Sequence, residues 1–136
     1  MAAPRDEFAA HCVELLAPLG AVRAKRLFGG HGIYVDELMI ALIADETLYF
    51  KTDAQTLPRW QAAGGRAFVY ESRRAGQERK VTAMSYWTPP DEALDSPSLL
   101  APWGRLALEA ALRAHAARAA RPRKSAAAAA TKPRRR

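Results

Sequence analysis

Leu38-Met39-Ile40-Ala41-Leu42-Ile43-Ala44 has no polar side chain and lies between two acidic pairs, Asp36-Glu37 and Asp45-Glu46. A short apolar run bounded by turn-forming residues suits a strand, and its lack of alternation predicts a central strand buried on both faces. The neighbouring segments extend the pattern. Residues 23–28 and 31–35 precede it around Gly29-Gly30, and residues 47–52 follow it with Leu48 and Phe50 alternating against Tyr49 and Lys51. Such short connections between successive strands predict an antiparallel meander.

The flanking segments supply helices and a second hairpin. Residues 4–18 predict a helix: Pro4 suits a first turn, Asp6 and Glu7 complement the helix dipole, and Phe8, Cys12, Leu15, Leu16 and Leu19 recur at helical spacing. Asp53 is expected to cap a short helix that ends near Ala63, with Leu57 and Trp60 turned inward and Gly64-Gly65 closing it. Residues 67–73 and 80–87 predict a hairpin around the polar turn 74–78, and Pro89-Pro90 stops the sheet. Ser96-Pro97 places a capping hydroxyl before a first-turn proline, and Leu100, Trp103, Leu106, Ala107, Ala110, Ala111 and Ala114 then form a stripe that runs to about Ala120. The small residues of this longest helix allow close approach to the sheet or to a second subunit. The reading is one α+β domain over residues 1–120, an antiparallel sheet with helices packed on it, of a size that one core can sustain.

The charge is divided unevenly. The whole sequence has 21 Lys and Arg against 14 Asp and Glu, a net charge of +7. Residues 1–120 hold 14 of the basic residues and all 14 acidic ones, so the excess consists of Arg121, Arg123, Lys124, Lys132, Arg134, Arg135 and Arg136. From Arg121 onward the composition is Ala, Arg, Lys, Pro, Ser and Thr. It offers no large apolar side chain to offset the entropy of ordering, so residues 121–136 read as a disordered basic tail. Basic segments of this kind engage phosphate backbones without reading bases, and those seven residues are the candidate nucleic-acid contacts.

Other chemistries find little support. The metal-ligand candidates His11, Cys12, His31 and His115 lack the spacing of a metal motif, and neither Ser85 nor Cys12 sits in a recognisable nucleophile signature. Gly29-Gly30-His31-Gly32 leads into Ile33-Tyr34-Val35 rather than into a helix, so a tight strand connection outweighs a phosphate loop. The aromatic residues with interspersed Arg and Lys could stack unpaired bases, but burial in the core or a subunit interface is the stronger expectation. An enzyme built around His31, Tyr34 and Tyr86 is the weakest class, and no cofactor or metal is expected. No run is long enough to span a bilayer, residues 1–10 carry Arg5, Asp6 and Glu7 where a signal peptide is apolar, and a single cysteine fits a reducing compartment. The expected location is cytoplasmic, with no membrane partner.

Three blocks carry a family resemblance: Arg26-Leu-Phe-Gly-Gly-His-Gly-Ile-Tyr34, the 38–44 run continued by Leu48-Tyr-Phe-Lys-Thr-Asp53, and Met84-Ser-Tyr-Trp87, followed by a proline-rich turn with Leu99, Leu100 and Trp103. In this order and spacing they resemble the N-terminal domain of the TfoX/Sxy family, over residues from about 8 to 117. The resemblance implies an α+β domain similar to secretion-chaperone-like folds and often homodimeric. It also implies a regulatory role in bacterial competence, in which relatives assist a cyclic-AMP receptor protein at promoters. Full-length competence regulators carry a second helical domain where this sequence has its basic segment. The expected function is therefore a non-enzymatic regulatory accessory with a transcription-related partner and non-specific nucleic-acid binding by the tail. The alternative is a protein-interaction or chaperone-like dimer without a nucleic-acid role.

Overall fold

The computed structural model describes residues 4–27, 29–72 and 80–120. The chain order is α1 (Pro4–Leu15), a 3-10 turn (Ala17–Leu19), β1 (Val22–Leu27), β2 (Gly30–Val35), β3 (Leu38–Ala44), β4 (Thr47–Lys51), α2 (Leu57–Ala62), β5 (Ala67–Ser72), β6 (Lys80–Trp87), a second 3-10 turn (Asp91–Asp95) and α3 (Pro97–Ala120). All six strands join one antiparallel sheet in the order β1-β2-β3-β4-β6-β5. The meander and the second hairpin therefore form one surface, with β6 beside β4 and β5 outermost. The sheet and its helices give the α+β class that the sequence predicts. The 74–78 turn and residues 121–136 lie outside the described residues.

Several predicted starts and stops have a physical counterpart. The Asp53 carboxylate accepts from the amides of Gln55 and Thr56, both at 3.1 Å, which closes the turn ahead of α2; the N-cap of the helix itself is Thr56, not Asp53, and it makes no side-chain cap bond. The Ser96 hydroxyl accepts from the Leu99 amide at 3.3 Å at the start of α3. Asp45 and Glu46 both have positive φ, 51° and 56°, so the β3–β4 connection is the two-residue turn whose twist suits a hairpin. The first helix is shorter than the sequence suggests: it ends at Leu15, and Ala17–Leu19 tighten into the 3-10 turn at Pro18.

The core lies between one face of the sheet and the helices. Helix α1 packs against β1 and β2, and α3 against β3 and β4. Between them are buried Cys12, Leu16, Ile33, Ile40, Ile43, Leu48, Phe50 and Leu100. Gly104 sets the closeness of the helices, since a methyl group there would meet Leu16 Cδ2 at 2.8 Å. Trp60 of α2 is fully buried between Phe50 and Trp103, with ring centroids 5.6 and 4.7 Å away. Helix α3 thus spends its small residues, Ala107, Ala110 and Ala111, on approach to the sheet.

One expectation is corrected. β3 is not buried on both faces: Ile40, Ala41 and Ile43 are buried, whereas Met39 and Leu42 are half-buried. The register explains why the run is apolar throughout. Ile33 pairs with Ala41 but Tyr34 pairs with Met39, so Ile40 is an extra residue in a bulge and both it and Ala41 join the buried side.

Candidate functional site

The strand register sorts the sheet residues onto two faces, because paired residues share a side and alternate residues change it. Ile33, Ala41, Ile43, Leu48 and Phe50 face the helices. Arg23 pairs with Tyr34, Lys25 with Gly32, Gly32 with Leu42, Leu42 with Tyr49, and Lys51 with Tyr86, which places these residues on the opposite face. The helix-covered side takes Trp60 into the core with Trp87 and Trp103 packed against it. The opposite side takes Tyr34, Tyr49 and Tyr86, each half-buried. The core half of the expectation, burial in the core or a subunit interface, thus holds for the tryptophans, while these three tyrosines lie outside the core. The phenol's polar end accounts for the split, since it favours a position with one end apolar and one end wet.

On this tyrosine-bearing face the cations lie against the rings. The Arg23 guanidinium is 5.1 Å and the Lys25 ammonium 5.7 Å from the Tyr34 centroid, and the Lys51 ammonium is 5.4 Å from that of Tyr86. Gly32 lies beneath an apolar patch, where a methyl group would meet Leu27, Tyr34 and Met39 at 3.1 to 3.3 Å. Tyr49 and Phe68 pack at 5.0 Å with their planes tilted by 59°. Tyr34 and Tyr86 come from strands separated by β3 and β4, yet their side chains converge on one cleft. Its lining is Tyr34, Glu37, Leu38, Met39, Lys51, Tyr86 and, from α3, Ala111, Ala114 and Arg118, and its volume is about 260 Å³. Burial, helped by the nearby Tyr34 phenol, pushes the Tyr86 hydroxyl above its ordinary pKa, so it remains a hydrogen-bond donor at neutral pH.

The remaining candidates separate. His31 is buried on the helix side of β2, opposite to Tyr34, so the chain does not assemble His31, Tyr34 and Tyr86 into one site. Gly29, at φ 83°, and Gly30 make the close turn that the sequence suggests, and a side chain at Gly30 would collide with the Ile43 carbonyl. A second cleft, of about 240 Å³, lies beside that turn with Asp45 and Glu46 at its rim. Cys12 is buried, and burial pushes its thiol up to about 12, so it stays protonated and unreactive. His11 and His115 are exposed. Among the described residues no group of three or more His, Cys, Asp or Glu could hold a metal ion. No described helix is long and apolar enough to cross a membrane. The basic residues at 121–136 lie outside the described residues.

Sequence reasoning missed two relations. Arg113 of α3 grips Asp53 with two hydrogen bonds, 2.7 and 3.1 Å, which ties the last helix to the end of β4. These bonds chiefly hold the Asp53 carboxyl below its usual pKa, with the Thr56 amide adding to the effect. No spacing announces a pair 60 residues apart. The gathering of tyrosines and cations on one face was available from alternation within β2 and β4, but it needed the order of β4 and β6 to bring Tyr86 into place.

No curated protein matches this chain significantly. The family model described as the TfoX N-terminal domain matches residues 14–111, which spans the sheet, α2 and the N-terminal part of α3. That match covers well over half of the 136 residues, and the chain belongs to the TfoX N-terminal domain family.

Proposed function

We propose that this chain is a non-enzymatic regulatory accessory of the TfoX/Sxy kind, acting in transcription or competence regulation in the cytoplasm. The folded domain makes the protein contact, with a transcription-related partner or a second copy, and the basic segment holds nucleic acid without sequence preference. The observation that carries the nucleic-acid part is the charge partition: residues 1–120 are neutral overall and residues 121–136 bring seven basic side chains and no acid. Family membership supports the regulatory part.

Phosphate contacts by that segment release counterions, so duplex binding is expected to weaken steeply with salt. Seven full contacts set a limiting slope of about −6 in log K against log salt. The test replaces Arg121, Arg123, Lys124, Lys132, Arg134, Arg135 and Arg136 with Gln in the full chain and measures duplex affinity across salt concentrations. Loss of affinity and a flattened slope support the reading. An unchanged slope overturns it.

A further inference from the structure

We infer that the tyrosine-bearing face of the sheet, together with the cleft it forms against the last turns of α3, is a binding site for single-stranded nucleic acid, with bases resting on the tyrosines and phosphates held by the cations between them. This goes beyond the tail reading, because it assigns an affinity to the folded domain and a preference for unpaired strands.

Three features of the face select that occupant. The first is charge. Arg23, Lys25 and Lys51 share the face and Arg118 closes the cleft from α3; Glu37 also lines the cleft and lies 3.7 Å from Arg23, almost fully exposed, so the cations outnumber the carboxylate that faces them. A second copy of this chain would bring the same cations against themselves, a like-charge juxtaposition that disfavours self-association through this face. The occupant is anionic.

The second feature is aromatic surface. A duplex hides its base faces, whereas a single strand can splay its bases onto rings displayed by an open antiparallel sheet. Tyr34 and Tyr86 both line the cleft, and the Tyr49–Phe68 pair lies on the same face further along β4. An acidic peptide would use the cations and leave these rings without a role.

The third feature is size. The cleft, at about 260 Å³, is smaller than the roughly 300–1,000 Å³ of pockets that enclose a whole small molecule. It accommodates one unit of a longer ligand that continues across the sheet. The Tyr34 and Tyr86 hydroxyls and the Lys51 and Arg118 side chains provide donors to phosphate oxygens there, and the chain runs from Arg118 directly into the basic segment.

The experiment measures binding of the full chain to a labelled oligothymidylate of about 12 nucleotides, within the site size of sheet-based single-strand binders, and to a duplex of equal length. Tyr34→Ala and Tyr86→Ala are each expected to weaken single-strand binding by about five- to one-hundred-fold while duplex binding changes little. Tyr34→Phe and Tyr86→Phe keep the ring and should retain most of the affinity. Lys51→Gln should reduce the magnitude of the single-strand salt slope by about 0.7. Urea unfolding of each variant verifies that the domain remains folded. Equal affinity for single strand and duplex in the parent chain overturns the inference, as does displacement of the oligonucleotide by polyglutamate as readily as by unlabelled oligonucleotide. Dimerisation that the tyrosine substitutions abolish also overturns it, by assigning the face to a second copy. The chain with its seven terminal basic residues changed to Gln separates the two proposals. If it loses duplex binding but keeps the single-strand preference, both stand; if it keeps duplex binding, the tail reading alone fails.

Discussion

The two faces of the sheet draw on the same aromatic and aliphatic residue types but differ in what lies opposite them. The helix-covered face meets α1, α2 and α3, and it contains fully buried Ile33, Ile40, Phe50 and Trp60. The other face carries tyrosines, Met39 and Leu42 at intermediate burial, with Arg23, Lys25 and Lys51 against the rings. Water is excluded from the first by shape and only partly from the second. Stability should therefore reside mainly in one face, and recognition in the other.

The sharpest test of that division compares equal truncations on opposite sides. Trp60→Ala removes a fully buried ring from between Phe50 and Trp103 and is expected to cost about 3–5 kcal/mol in urea unfolding. That is a large share of the roughly 5–15 kcal/mol available to a domain. Tyr34→Ala should cost well under half as much and be read instead in binding. Equal losses at the two positions would break the comparison, by showing that the open face is itself a structural core.

A backbone variant probes the pairing of β2 with β3 without removing any apolar group. Gly30→Ala would drive its new methyl group into the Ile43 carbonyl, so β2 must shift against β3 at the point where His31 and Ile43 pair. A cost of about 1–3 kcal/mol is expected, in the range of other overpacked sites. A neutral result would mean that the strands yield there, and it would weaken the picture of a rigid platform.

Much of the fold was legible because local signals agreed with one another. Turn pairs at 36–37 and 45–46, the cap at Ser96 and the alternation in β4 each specify short-range geometry, and short-range geometry is what a sequence displays directly. β3 misleads for a reason of the same kind. A bulge at Ile40 breaks the two-residue period, so an apolar run that signals burial on both faces also fits one buried face plus a shielded patch around Gly32. The site was less legible than the fold. Tyr34, Lys51 and Tyr86 lie on different strands, and their meeting depends on β6 entering beside β4, a long-range choice that no local motif encodes.

The clasp between Asp53 and Arg113 offers a test through pH. Arg113 holds the Asp53 carboxyl below its ordinary pKa, so the folded state binds the proton less readily than the unfolded chain. Its contribution is present in full above the unfolded carboxylate value, near 3.9, and is lost as pH falls through the lower folded value. Asp53→Asn should therefore lower stability at neutral pH and flatten the acid limb of the stability curve below about pH 4. The effect should be smaller than that of Trp60→Ala, since both partners are partly solvated. An acid limb unchanged in the variant would assign the acid sensitivity to other carboxylates. Single-strand binding should persist in Asp53→Asn at neutral pH, because the clasp lies outside the tyrosine cleft.

The smallest expected effect concerns the turn that feeds both faces at once. Asp45 and Glu46 connect β3 to β4, and their register sends Ile43 and Leu48 to the helices while Leu42 and Tyr49 go to the open face. Glu46 holds φ at 56°, a conformation that an L side chain adopts at a cost and that glycine adopts freely. Its side chain is exposed, so replacing it removes no core contact. Glu46→Gly relieves that cost, although glycine also gives the unfolded chain more freedom, so the net gain should be modest, about 0.5–1 kcal/mol. Because the turn fixes the register without belonging to either face, the gain should appear in urea unfolding with no change in oligothymidylate affinity. A change in affinity would show that the turn also adjusts how Tyr49 is presented, and the separation of stability from recognition would then fail at the hairpin that links them.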